Sequence, residues 1–248
     1  MLLEGEHLEP LSREGKVIVS ENHRFNTDTI LLAAFSAPRA GEVCADFGTG
    51  CGTIPLIWCA RSKPKAIHAF EIQEDACDMA RRSVELNHLE SIIHIRNRDI
   101  KTLRAGEPDM PSHFDLIACN PPYKPEGTGI KNPGEGLSIA RHEVACSFAD
   151  IAAAAASLLR WGGRFCCCLR PERLCDVMVK LRAAGLEPKR LRFVQQRQGK
   201  QPSLFLLQAA RGGKPGMKVE PVLFIEDEAG GASQEIKQIY GDYREGNQ

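Results

Sequence analysis

The chain of 248 residues carries no surplus of either charge, with 32 lysines and arginines against 32 aspartates and glutamates. That balance excludes a histone-like, generally polycationic binder. No apolar run approaches the ~18 residues of a membrane span. Met1-Leu2-Leu3-Glu4-Gly5-Glu6 has neither the basic start nor the apolar stretch of a secretory signal. No Cys-x-x-Cys pair and no metal-ligand constellation occurs. Ten cysteines in such a length fall well below the roughly 8–10% of disulfide scaffolds. Most sit in apolar runs, where cysteine behaves as a small hydrophobe. Cys166-Cys167-Cys168 would alternate across a strand and so cannot converge on one ion. A cytoplasmic protein with reduced core thiols is expected, with no membrane association and no metal.

What is present is ordinary globular material: 43% hydrophobic and 26% charged residues. At ~150 residues per domain this makes one large domain, or one with an appendage. The order of elements predicts three parts: an N-terminal strand and helix segment (1–40), the main domain (41–212) and a C-terminal extension (213–248). In the first, Lys16–Val19 reads as a strand, and a helix capped by Thr27 or Asp28 runs to Phe35 before Pro38. From Glu42 onward strands and helices alternate. Strands are predicted at 42–47, 65–71, 91–96, 114–119 and 164–169, and helices at 53–60, 75–87, 140–160 (closed by Gly162-Gly163) and after Pro171. Residues 187–194 and 203–210 have no helix between them and should pair antiparallel at a sheet edge. The fold class is therefore α/β: a Rossmann-like, seven-stranded, mostly parallel sheet with an antiparallel edge hairpin and helices on both faces. Ligands of such sheets bind beyond the carboxyl ends of the strands.

Two of those strand ends carry chemistry. After the first comes Asp46-Phe47-Gly48-Thr49-Gly50-Cys51-Gly52, where glycines let backbone approach a ligand at a helix N-terminus. Thr53 stands where the nicotinamide fingerprint needs glycine, and Asp46 is awkward beside a pyrophosphate. Both departures favour S-adenosylmethionine, which carries an ammonium and a sulfonium. Glu71, about 20 residues on, is placed to accept ribose hydroxyls, and Asp99 to accept from the adenine amine. The second end is Asn120-Pro121-Pro122-Tyr123. Its prolines fix the backbone and remove two donors, leaving carbonyl acceptors free. An amino group made planar by resonance, on adenine N6 or a glutamine amide, would donate to the Asn120 side-chain oxygen and the Pro121 carbonyl while stacking on Tyr123. No base with a tuned pKa is needed, because the proton becomes acidic once the methyl has transferred.

These two motifs resemble those of class I S-adenosylmethionine-dependent amino-methyltransferases. Within that superfamily the chain is most similar to the bacterial tRNA1(Val) (adenine-37 N6)-methyltransferases. Arg24-Phe25-Asn26-Thr27-Asp28-Thr29-Ile30-Leu31-Leu32, Ala140-Arg141-His142-Glu143 and the absence of an N-terminal helical domain point there. The resemblance covers residues 15–210. It implies a tRNA substrate, with Asp46, Gly48, Thr49, Gly50, Glu71, Ile72, Asp99, Ile100 and Asn120 at the cofactor and Asn120, Pro121, Pro122 and Tyr123 at the base. Arg24 and Asp28 match a segment over the methionine end.

Residues 124–136 hold four glycines and two prolines and suit a loop that orders over a target base. His142 has no catalytic task in this chemistry. Ten basic residues lie between 180 and 218 against Glu187 alone, while acids dominate from Glu220 onward. The basic edge hairpin could bind tRNA phosphates by counterion release. Alternatives are methylation of a release-factor-type protein glutamine, of DNA adenine, or a non-catalytic RNA-binding module. The helical recruiting domain typical of the first is missing, as is a DNA target-recognition domain.

Overall fold

Short β-branched and cysteine-rich runs between helices set the architecture. A computed structural model describes residues 2–11, 15–108, 110–121 and 146–241. The main sheet comprises β3 (Val43–Phe47), β4 (Ala66–Glu71), β5 (Ile93–Asn97), β6 (Phe114–Cys119), β7 (Leu159–Leu169), β8 (Leu186–Gln195) and β9 (Pro202–Arg211). Two two-residue strands, β10 (Lys218–Val219) and β11 (Leu223–Phe224), lie parallel to β8. They bring the expected seven strands to nine, in the order β10-β8-β9-β7-β6-β3-β4-β5 with β11 also on β8. From β7 to β5 all neighbours are parallel, while β9 runs antiparallel to both β7 and β8. A separate hairpin joins β1 (Glu6–Pro10) to β2 (Lys16–Ser20). Of that pair the sequence signals only the second, because β1 lacks a continuous apolar face.

Alternation along each strand builds two cores. On one face Cys44, Ile67, Leu116, Cys166 and Cys168 pack toward α1 (Thr27–Ser36), α2 (Thr53–Arg61) and α3 (Glu74–Leu86). On the other Phe47, Phe70, Phe114, Phe165 and Cys167 face α4 (Phe148–Leu158) and α5 (Leu174–Ala183). The three consecutive cysteines thus divide between the faces, and all ten cysteines are free thiols. A short α6 (Gln234–Tyr240) docks on α1, where the Tyr240 hydroxyl donates to Thr27 Oγ1 at 3.0 Å.

Three local expectations are corrected. The cap of α1 is Asn26, whose Oδ1 accepts from the Thr29 N–H at 3.1 Å. The described part of the helix expected over 140–160 begins at Phe148, capped reciprocally by Ser147 and Asp150, and ends at Leu158. Gly162-Gly163 does not close that helix but lies inside β7, which starts at Leu159 and pairs with Phe114 before a register shift. Glycine is required at 163 because a Cβ there would stand 2.9 Å from the Arg160 carbonyl and 3.1 Å from that of Phe114. Gly163→Ala should therefore destabilise the fold by about 1–3 kcal/mol, read as a lower urea midpoint at unchanged slope.

Candidate active site

The chain crosses from β3 to β4 and β5 on one side, then returns to β6 and β7 on the other, so the switch point lies between the carboxyl ends of β3 and β6. A cavity of about 390 Å³ opens there, a size that accommodates a small ligand. The β3 loop forms one wall. Gly48 and Thr49 donate their N–H groups to the Phe70 carbonyl at 2.9 and 3.0 Å, tying the loop to β4. Gly52 caps α2 in the left-handed region (φ 87°), and a Cβ on it would meet Ala80 at 3.3 Å, so the loop nests against α3.

Glu71, at the end of β4, is almost fully buried. Its Oε1 accepts from the Ile72 and Gln73 N–H groups at 2.8 and 2.9 Å, and its Oε2 from Gly50 N–H at 2.9 Å. The carboxylate thereby fixes the glycine loop, and Oε2 retains acceptor capacity toward the cavity. Asp99 follows β5 and accepts from Lys101 N–H at 2.9 Å, capping a single 3-10 turn. At the end of β6, the Asn120 amide donates from Nδ2 to Thr29 Oγ1 at 3.1 Å and accepts at Oδ1 from the Cys168 thiol at 3.2 Å.

Asp46 lies beneath the loop rather than in the cavity wall. It is 1% exposed, and neither carboxylate oxygen has a hydrogen-bond partner among the described residues. Burial raises its pKa to about 7, opposed by the nearby Thr49 hydroxyl and reinforced by the charge of Glu71. The Thr49 hydroxyl is buried too, outside hydrogen-bond geometry with any partner among the described residues. An unpartnered acid buried at this depth is costly unless a cation or donor completes it. This chemistry fits an ammonium-bearing ligand and not a phosphate.

Of the residues expected from the sequence, Gly48, Gly50, Glu71, Ile72, Asp99, Ile100, Asn120 and Pro121 line the cavity, as does Arg24. Asp46, Thr49 and Asp28 do not. Pro122 and Tyr123 lie outside the described residues, as do the 124–136 loop, the Ala140-Arg141-His142-Glu143 segment and the start expected for its helix. The structure adds walls that sequence reasoning missed: Asn22 and His23, Arg98, Cys119, Cys146 and Ile151. His23 Nε2 is 2.8 Å from Asp75 Oδ2, which pins the segment before α1 to the start of α3, and the His23 interaction holds the Asp75 carboxyl below its usual range. Only the position of Cys119, beside Asn120 at a strand end, carried a sequence signal. No group of three or more His, Cys, Asp or Glu side chains able to hold a metal occurs among the described residues. Nor is any helix among them long and apolar enough to cross a membrane.

The sheet order, the glycine turn at β3 and the acidic strand ends define a Rossmann-like methyltransferase. Residues 17–135 match the methyltransferase small domain family. The chain is similar to the tRNA1(Val) (adenine(37)-N6)-methyltransferase of Aeromonas salmonicida, 30% identical over 191 residues that cover 76% of this chain and 77% of that one. Its similarity to the protein of the same name from Tolumonas auensis is 28% over 205 residues, or 82% of each chain. Among solved structures, a predicted O-methyltransferase from Agrobacterium tumefaciens shares the fold at a TM-score of 0.66 and 21% identity, covering 88% of this chain and 97% of that chain. The chain belongs to the family of tRNA1(Val) (adenine(37)-N6)-methyltransferases.

Proposed function

We propose that this protein transfers a methyl group from S-adenosylmethionine to the exocyclic N6 of adenosine 37 in a valine tRNA. The observation that carries this reading is the meeting of two features at one switch point. One is a buried Asp46 with no hydrogen-bond partner among the described residues, behind a glycine loop; the other is Asn120-Pro121 at the adjoining strand end. The names borne by the relatives supply the acceptor. S-adenosylmethionine, when bound, supplies an electrophilic methyl carbon on a positive sulfur.

The rest of the work falls to the chain. Asp46 provides negative charge for the ammonium, with Gly48, Thr49 and Gly50 giving close backbone access. Glu71 and Ile72 face the ribose, and Asp99 and Ile100 the adenine. At the acceptor side, Asn120 Oδ1 and the Pro121 carbonyl receive the two N–H groups of the target amine. They hold its nitrogen in line and favour the pyramidal form in which its lone pair is available. Pro122 and Tyr123, expected to complete the acceptor corner, lie outside the described residues. Preorganised dipoles and positioning carry such a reaction without a general base. In this reading residues 41–212 are the catalytic unit, Asn22, His23 and Arg24 of the N-terminal segment help wall the cavity, and residues 218–224 of the C-terminal extension brace the edge.

The basic hairpin differs from its sequence appearance. Lys180, Arg182, Arg190 and Arg192 pair with Asp176, Glu187, Glu220 and Glu235, and Lys189 is held by the carbonyls of Lys214 and Gly216. Glu220 and Glu235 of the acidic C-terminal segment therefore offset Arg190 and Arg192 of the hairpin. Arg197 and Lys200, in the exposed turn between β8 and β9, make no ion pair among the described residues. Because β8 runs parallel to β7, that turn lies at the same sheet end as Asn120. Replacing both by alanine should weaken tRNA binding and make the slope of log K against log salt shallower by about 1–2. Cofactor affinity should stay unchanged.

The function is tested by offering the protein labelled cofactor with three acceptors: unmodified tRNA, release factor and duplex DNA. Label in the N6 of a tRNA adenine is expected. Label in release factor or DNA alone overturns the reading.

A further inference from the structure

A chain of hydrogen bonds with a single sense reaches the Asn120 amide from the first turn of α1. Asn26 Oδ1 accepts from the Thr29 backbone N–H at 3.1 Å, a group that only donates, so the oxygen of this amide faces Thr29. The same Oδ1 lies 3.2 Å from Thr29 Oγ1. Having no proton to give, it obliges the hydroxyl to donate. The hydroxyl's lone pairs are then left for Asn120 Nδ2, at 3.1 Å. With its nitrogen fixed toward α1, the amide must turn its oxygen the other way, where the fully buried Cys168 thiol donates to it at 3.2 Å.

From this geometry we infer that Thr29 is a positioning residue: through the cap of α1 it fixes which end of the Asn120 amide faces the acceptor amine. The inference rests on the proposed methylation of an amino group. A flipped amide would aim two N–H donors at an NH2 that must itself donate, so the wrong flip blocks the reaction without blocking cofactor binding. The cap residue of one helix thus decides the polarity of a side chain 94 positions away in sequence, counting from Asn26 to Asn120. Cys168 supports the same orientation from the opposite side. As a thiol is a weak donor, the hydroxyl contributes the larger share.

The test compares wild type, Thr29→Val and Thr29→Ser. Valine keeps the shape and removes the acceptor, whereas serine retains it. Thr29→Val should lower kcat about tenfold, the loss expected for one orienting hydrogen bond. Cofactor affinity and KM for tRNA should stay within about twofold, and Thr29→Ser should recover most of the turnover. A wild-type kcat in Thr29→Val overturns the inference, as does an equal loss of cofactor affinity or failure of serine to rescue. A second readout needs no reaction. In the free wild-type protein the Asn120 side-chain amide protons should exchange with solvent at least ~10-fold more slowly than those of an exposed asparagine, and Thr29→Val should abolish that protection. Free exchange in wild type overturns the relay. If wild type methylates no tRNA, the acceptor assignment fails, and amide exchange alone then decides whether the relay exists.

Discussion

Replacing Asn120 by alanine should cut turnover at least ~100-fold while leaving cofactor affinity within about twofold of wild type, as expected for an acceptor engaged chiefly in the transition state. The side chain sits at the end of β6, held between Thr29 on α1 and Cys168 on β7. Alanine removes the oxygen proposed to receive the target N–H but leaves the β6 backbone and the glycine loop in place. Single-turnover methylation at saturating tRNA, set beside equilibrium titration of the cofactor, separates the two quantities. Parallel loss in both would make Asn120 a cofactor ligand or a structural residue, and would remove the acceptor role assigned to it.

Cofactor affinity should also depend on pH through Asp46. In the free protein burial lifts the pKa of this carboxyl to about 7, from its ordinary value of 3.8. Between those two values the folded state holds a proton that the unfolded chain has released. The contribution of Asp46 to stability is therefore fully present below about pH 4 and lost as pH rises through 7. A bound ammonium reverses the preference, since a nearby cation favours the ionised carboxylate. Binding then requires loss of the proton, and affinity should fall roughly 15-fold between pH 7 and 5.5, the ratio of ionised fractions for a group of pKa 7. Over this range an α-ammonium stays charged, its ordinary pKa being about 8. Calorimetry in buffers of differing ionisation enthalpy should detect the released proton. Asp46→Asn should bind more weakly at pH 7 and lose the pH response. A steep response persisting in that variant would place the titrating group elsewhere.

The site was most legible where chemistry is bound to strand ends. Glycines at 48, 50 and 52 need no partner in sequence to be understood, and Glu71, Asp99 and Asn120 each follow a recognisable apolar strand. Asn22 and His23 were invisible for the opposite reason. They reach the cavity because β2 and α1 fold across the sheet and His23 finds Asp75, a contact between segments 52 residues apart. Cys146 and Ile151 likewise arrive through packing of α4, which no local pattern encodes. Asp46 is recognisable as an acid near a strand end, but its burial behind the glycine loop is a depth that strand alternation alone does not reveal. The hairpin arginines looked free because their partners, Glu220 and Glu235, come from a segment whose docking depends on tertiary structure.

That docking bears on how the molecule meets its own kind. A terminal strand with bare amides is a template for another chain, and β8 would be one if the protein ended at β9. Instead the outer rim of β8 is taken up by β10 and β11, and charged bridges from Arg190 and Arg192 to the same segment fasten it there. On this flank the polypeptide lays its own residues 218–224 along the sheet, leaving a second copy no unclaimed row of amides along these stretches to extend.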